Sequence, residues 1–110
     1  MIDTNKTIIS FDYNGTMTDE ISRNLSTLYS TVEGSVPLDR SFGLSSEYIS
    51  YPLPVAENMI ALDIVEKTEI YEPRAEVREV TFEHDIDGQL IPRVLIGRAD
   101  NDEAEEGDEI

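Results

Sequence analysis

The sequence predicts an α+β domain in which two main helices pack on a small, mostly antiparallel sheet ending in a C-terminal β-hairpin. Three observations carry this prediction. Ile21, Leu25, Leu28 and Val32 recur at helical spacing, and a second apolar run follows around Met59 and Ile64. Two later segments alternate in the strand manner across Asp87-Gly88, a turn-forming pair. Pro73 stands between the helical part and the strand-like part, where it forbids the helix from continuing. At 110 residues the chain makes one domain, because two would leave neither half enough apolar surface for a core.

Taken in order, Thr7 to Tyr13 alternate as a strand, with Ile9, Phe11 and Tyr13 on one face, and Asn14-Gly15 closes it with a turn. The first helix starts near Thr18 or Asp19, either of which can cap exposed amides, and Gly34 terminates it. From Ser35 to Pro54 four proline and glycine positions break regular structure. Leu38, Phe42, Leu44, Tyr48, Ile49 and Tyr51 nonetheless require that this connector pack. The second helix is expected over about Val55 to Ile70, with Ala56, Met59, Ile60, Ile64 and Val65 as its apolar stripe.

Ala75 to Glu83 and Leu90 to Ile96 form the expected hairpin. Val77 falls on one alternation and Val80 and Phe82 on the other, which predicts a bulge near Arg78-Glu79. Pro92 lacks a ladder donor and so assigns the last strand to an exposed edge. The domain is therefore expected to span residues 1–98, with 99–110 a disordered acidic tail too poor in apolar residues to order itself.

The charge balance narrows the function. Eight Lys and Arg against 24 Asp and Glu give a net charge of −16, which disfavours nucleic acid and anionic lipid as partners. Seven of those carboxylates lie in the last eleven residues, yet the remainder still outnumbers the basic residues. There is no cysteine, which excludes disulfides and thiolate chemistry, and no apolar run of membrane-spanning length. His84 is the single histidine and reads as a surface turn residue, so no histidine-based metal site or triad is expected. The terminal carboxylates miss calcium-loop spacing, since Ala104 and Glu105 stand where an oxygen ligand and a glycine are needed. No metal or other cofactor is expected.

One segment invites an enzymatic reading. Ile8 to Met17, with Asp12 followed by Asn14-Gly15-Thr16, resembles the first motif of haloacid-dehalogenase-type phosphatases, in which Asp12 would be the nucleophile and a magnesium ion would offset charge. Asn14 replaces that family's acid-base aspartate, and an amide cannot shuttle the proton. A strand ending in an Asn-Gly turn accounts for the same residues without catalysis.

Glu72-Pro73-Arg74 offers a carboxylate and a five-donor guanidinium at a stiff helix-to-strand corner, where both are expected to project. Gly34-Ser35-Val36-Pro37-Leu38 and Phe42-Gly43 precede that corner and the hairpin follows it. In this order the chain resembles, over about Val32 to Ile96, the baseplate wedge or sheath-initiator family of contractile phage tails (protein W-like). Members of that family have been labelled lysozyme-like, but with 24 carboxylates in the chain no particular pair marks a glycosidase.

The resemblance implies a non-enzymatic subunit with no catalytic residue, located in the baseplate of a virion or phage-tail-like particle and made in the bacterial cytoplasm. Its partners would be baseplate wedge proteins and tail sheath subunits in a multi-copy hetero-assembly, joined by β-strand addition. Related subunits occur in bacteriocins and in other contractile injection systems. The partner-binding residues implied are Glu72, Pro73 and Arg74 at the corner, and Val77, Val80, Phe82, Leu90, Val94 and Ile96 on the hairpin. A stand-alone acidic binding module is the third expectation that the composition permits.

Overall fold

The computed structural model describes residues 2–99. Its regular elements are β1 (Ile8–Phe11), α1 (Thr18–Ser30), α2 (Leu53–Tyr71), β2 (Ala75–His84) and β3 (Leu90–Arg98), with short 3-10 turns at Thr4–Lys6 and Glu47–Ser50. The helices pack on one sheet, so the fold is α+β. The expected acidic tail lies outside the described residues from position 100 onward. Ala99 is still tied down, its amide donating to the Arg74 carbonyl at 3.2 Å.

The sheet is mixed, with strand order β1-β3-β2. β2 and β3, consecutive in the chain, pair antiparallel from Ala75 opposite Arg98 to His84 opposite Leu90, whereas β1 lies parallel to β3 from Ile8 opposite Arg93. The predicted bulge is present: the register shifts between Val77 and Glu79. The extra residue returns Val77, Val80 and Phe82 to one face, where all three pack against the core.

β3 is the central strand, which corrects the expectation that Pro92 marks an edge. The Leu90 carbonyl accepts from Asp3 and the Ile96 carbonyl from Asp12, so the even-numbered residues of β3 direct their backbone groups towards β1. There the chain makes its 3-10 turn at Thr4–Lys6, between the Ile2–Leu90 bridge and the start of the β1 ladder at Arg93. The donor that Pro92 lacks therefore falls in a gap of the ladder, and its ring is fully buried.

α1 carries Asp19 and Glu20 in its first turn, where they complement the helix dipole. The residue preceding it is Met17, which makes no side-chain cap, and the Thr18 hydroxyl bonds back to the Gly15 carbonyl instead of capping. Ile21, Leu25 and Leu28 are buried as their spacing predicts. Val32 lies beyond the helix end and is half exposed, and Tyr29 takes the remaining core position. Burial pushes the Tyr29 hydroxyl up to about 12, although its 2.7 Å hydrogen bond with Thr68 opposes the shift. It is thus a neutral tie between the two helices.

α2 begins at Leu53, with Pro54 in its first turn where no amide is lost. Its buried stripe is Ala56, Ile60, Ile64, Lys67 and Thr68; Met59 is only partly covered and Val65 faces outwards, contrary to expectation. Ala56, Ile60 and Ile64 join Ile21, Leu25, Leu28 and Tyr29 of α1, Ile2, Leu44 and the inner sheet residues Ala75, Leu90, Val94 and Ile96 in one core.

The connector folds back on itself through an isolated bridge between Val32 and Leu44, with the Leu44 amide donating to Thr31 and the Glu33 amide to Leu44, both at 2.9 Å. Gly43 makes this approach possible: its φ is +110°, and a β-carbon there would sit 2.5 Å from the Thr31 carbonyl oxygen. Gly43→Ala is expected to lower stability by about 2–3 kcal/mol, against about 1 kcal/mol for Gly34→Ala. Gly34 shares the positive φ but has open space around it. Chemical denaturation of the two variants gives the comparison.

Candidate functional site

Two places bear on the residues singled out by sequence, the Glu72-Pro73-Arg74 corner and the sheet.

α2 ends at Tyr71 because Pro73 follows one residue later, and the Glu72 amide makes the last helical bond, to Thr68 at 2.8 Å. Glu72 does not project; it is only 4% exposed. Arg74 grips its carboxylate with two donors, Nε to Oε1 at 2.7 Å and Nη2 to Oε2 at 2.9 Å, while Asn24 Nδ2 on α1 donates to Oε2 at 3.0 Å. Arg74 Nη2 also reaches Glu20 on α1 at 3.3 Å.

Burial alone would raise the pKa of Glu72, but the hydrogen bonds from Arg74 and Asn24 outweigh it and hold the carboxyl below the usual carboxylate range. The Glu72 hydrogen bond correspondingly raises Arg74. The corner is thus an internal latch fastening the end of α2 and the start of β2 to α1. What it leaves to a partner is the exposed Pro73 ring and the Arg74 Nη1 donor.

The glycine-proline connector arrives at the same corner. Phe42 meets Tyr71 edge to face at 5.0 Å between ring centres, and the Tyr71 hydroxyl donates to Asp39 at 2.9 Å. Lys67 clamps the connector from below. Its ammonium is buried, and its three donors go to the Glu33 carboxylate at 2.9 Å and to the carbonyls of Ser41 and Gly43, each at 2.6 Å. A cavity of about 200 Å³ remains between Asn24, Phe42, Tyr71 and Glu72. Separated sequence segments therefore meet in one place. Lys67 escaped the sequence reading, whose only signal for it was a base at a core position of the helical period.

On the sheet, Leu90, Val94 and Ile96 are buried in the central strand and are core residues, unreachable by a partner. Val77, Val80 and Phe82 are half-buried on β2, an edge strand ten residues long. The odd-numbered residues of β3 face β2, so their partners Glu76, Glu79, Thr81 and Glu83 make the ladder. By alternation, the N–H and C=O groups of Val77, Val80 and Phe82 point away from the sheet, and no backbone group among the described residues pairs with them.

Asp12 lies just past β1 and is ion-paired with Arg78, Nε to Oδ2 at 3.4 Å. Among the described residues no three His, Cys, Asp or Glu side chains converge to hold a metal ion, and no helix is long and apolar enough to cross a membrane. Comparison with protein-family models and with curated proteins returns no match for this chain.

Proposed function

We propose that this chain is a non-enzymatic subunit of a contractile-tail baseplate, which joins the wedge and templates the sheath by accepting a strand along β2. One observation carries the reading: the outward backbone groups of Val77, Val80 and Phe82 form an unpaired edge on a strand of 10 residues, whereas β1 at the other edge of the sheet has only 4. In β-augmentation such groups supply affinity and the alternating side chains supply register. β2 and β3 act here as one hairpin, with β3 held in the core and β2 offered outwards.

The edge carries the devices that keep such a strand selective. Glu76, Arg78, Glu79 and Glu83 place charge along it, and the bulge twists it away from a flat template. A strand that pairs here needs a matching charge pattern. The Glu72–Arg74 latch sets the direction in which β2 leaves α2, and Pro73 with the remaining Arg74 donor faces the wedge.

Val80→Pro separates this role from folding. The proline removes an outward donor and leaves the bonds to β3 intact, so the variant is expected to fold and yet recruit at least about tenfold less sheath subunit on co-expression with wedge and sheath proteins. Thr81→Pro, which removes a ladder donor, is expected to destabilise the domain itself. Undiminished sheath recruitment by folded Val80→Pro would remove β2 as the template.

A further inference from the structure

α2 is apolar on both sides and buries only one of them. On its outer side Leu62 is 71% exposed, and Val65 and Met59 stand beside it. Tyr48, from the 3-10 turn Glu47–Ser50, forms the opposite wall. That wall is fixed to the helix by the Ser45 amide, which donates to Asp63 at 2.7 Å. Between them runs an open groove of about 580 Å³.

The rim of this groove has one sign. Glu47, Glu66 and Glu69 line it, and no Lys or Arg does. Lys67, the one base of α2, is turned to the opposite side and consumed by Glu33, Ser41 and Gly43. No cation among the described residues pairs with the three rim carboxylates. An apolar floor between like charges selects its occupant by complementarity. A second copy would bring the same carboxylates and a net charge of −16 to the contact, and is repelled.

We infer that this groove receives a basic amphipathic helix of a partner protein, its apolar stripe on Leu62, Val65 and Met59 and its Lys or Arg residues against Glu47, Glu66 and Glu69. From Met59 to Glu69 the helix axis advances about 15 Å, room for two to three turns of such a helix. The surface is separate from the β2 edge, so a protein carrying both can bridge two partners at once.

The test uses the full chain and a fluorescein-labelled Leu/Lys peptide of about 14 residues with leucines at helical spacing, followed by anisotropy. A peptide of the same composition with alternating leucines is the control. The helical peptide is expected to bind and the alternating one not. Leu62→Ser, at a position too exposed to matter for the core, is expected to weaken binding about tenfold or more. Glu66→Lys combined with Glu69→Lys is expected to weaken it similarly and to remove its salt dependence. Equal binding of both peptides, or binding indifferent to Leu62→Ser, would mean that acidity alone attracts them and would overturn the inference. A dimer that Leu62→Ser dissociates, seen by sedimentation of the chain alone, overturns it in favour of self-association.

Discussion

Lys67→Ala is expected to cost the domain about 2–4 kcal/mol, a large part of the stability of a chain this size. All three ammonium donors are used, two of them by the Ser41 and Gly43 carbonyls at 2.6 Å. Removing the ammonium leaves those carbonyls without their donor, and a cavity replaces the aliphatic stem. The third partner matters less. The Glu33 side chain is 40% exposed, so water can replace the lost contact, and Glu33→Gln is expected to cost under about 1 kcal/mol.

Lys67→Met keeps the stem and loses only the donors, so the difference between the Ala and Met variants measures the cavity. Urea unfolding at pH 7 gives all three values. A loss under about 1 kcal/mol for Lys67→Ala would show that the connector holds its place without the clamp. Limited proteolysis adds a local readout, because residues 34–43 are expected to become cleavable in Lys67→Ala before the helices do.

Lys67 also shows where a sequence stops being legible. The helical period of α2 was visible, but a lysine at an inward position is normally excluded from a core. Here it is accepted because backbone carbonyls 24 and 26 residues away meet it. Nothing local announces that meeting. Val65 shows the converse: in a helix apolar on both sides, hydrophobicity alone does not say which side is inside.

The β2 bulge was legible because its cause lies within a few residues, in the change of alternation after Val77. The Asp87-Gly88 turn was legible on the same ground: Gly88 has a φ of +84°, which glycine adopts freely. By contrast, the pairing of Ile8–Phe11 with the last strand joins opposite ends of the domain, and only that pairing makes β3 central and buries Leu90, Val94 and Ile96. A rule about prolines at edges failed at Pro92 because the 3-10 turn at Thr4–Lys6 opens a gap in the ladder at that height. At the corner, Pro73 told where α2 stops. That Glu72 turns inwards depends on Asn24, 48 residues earlier, and could not be read from the motif.

Arg74→Ala is expected to destabilise the isolated domain by about 2–4 kcal/mol at pH 7, and to do so in a pH-dependent way. The wild-type Glu72 carboxyl is held below its ordinary 4.5: burial pushes it up, but Arg74 and Asn24 push it down further. A carboxyl lowered by folding adds stability that is fully present above the unfolded value and is lost as pH falls through the folded one. In Arg74→Ala the two guanidinium bonds are gone while burial remains, so the folded carboxyl is expected to rise above the unfolded value. Protonation then relieves the variant as pH falls from its raised folded value to the unfolded one, and weakens the wild type as pH falls further. The stability gap is therefore widest near neutrality and narrows towards pH 4 and below. Adding Glu72→Gln to Arg74→Ala removes the buried charge and is expected to restore part of the loss, with a gap to wild type less dependent on pH in that range. A gap for the single variant that stays constant between pH 7 and 4 would mean that Glu72 is not held by Arg74.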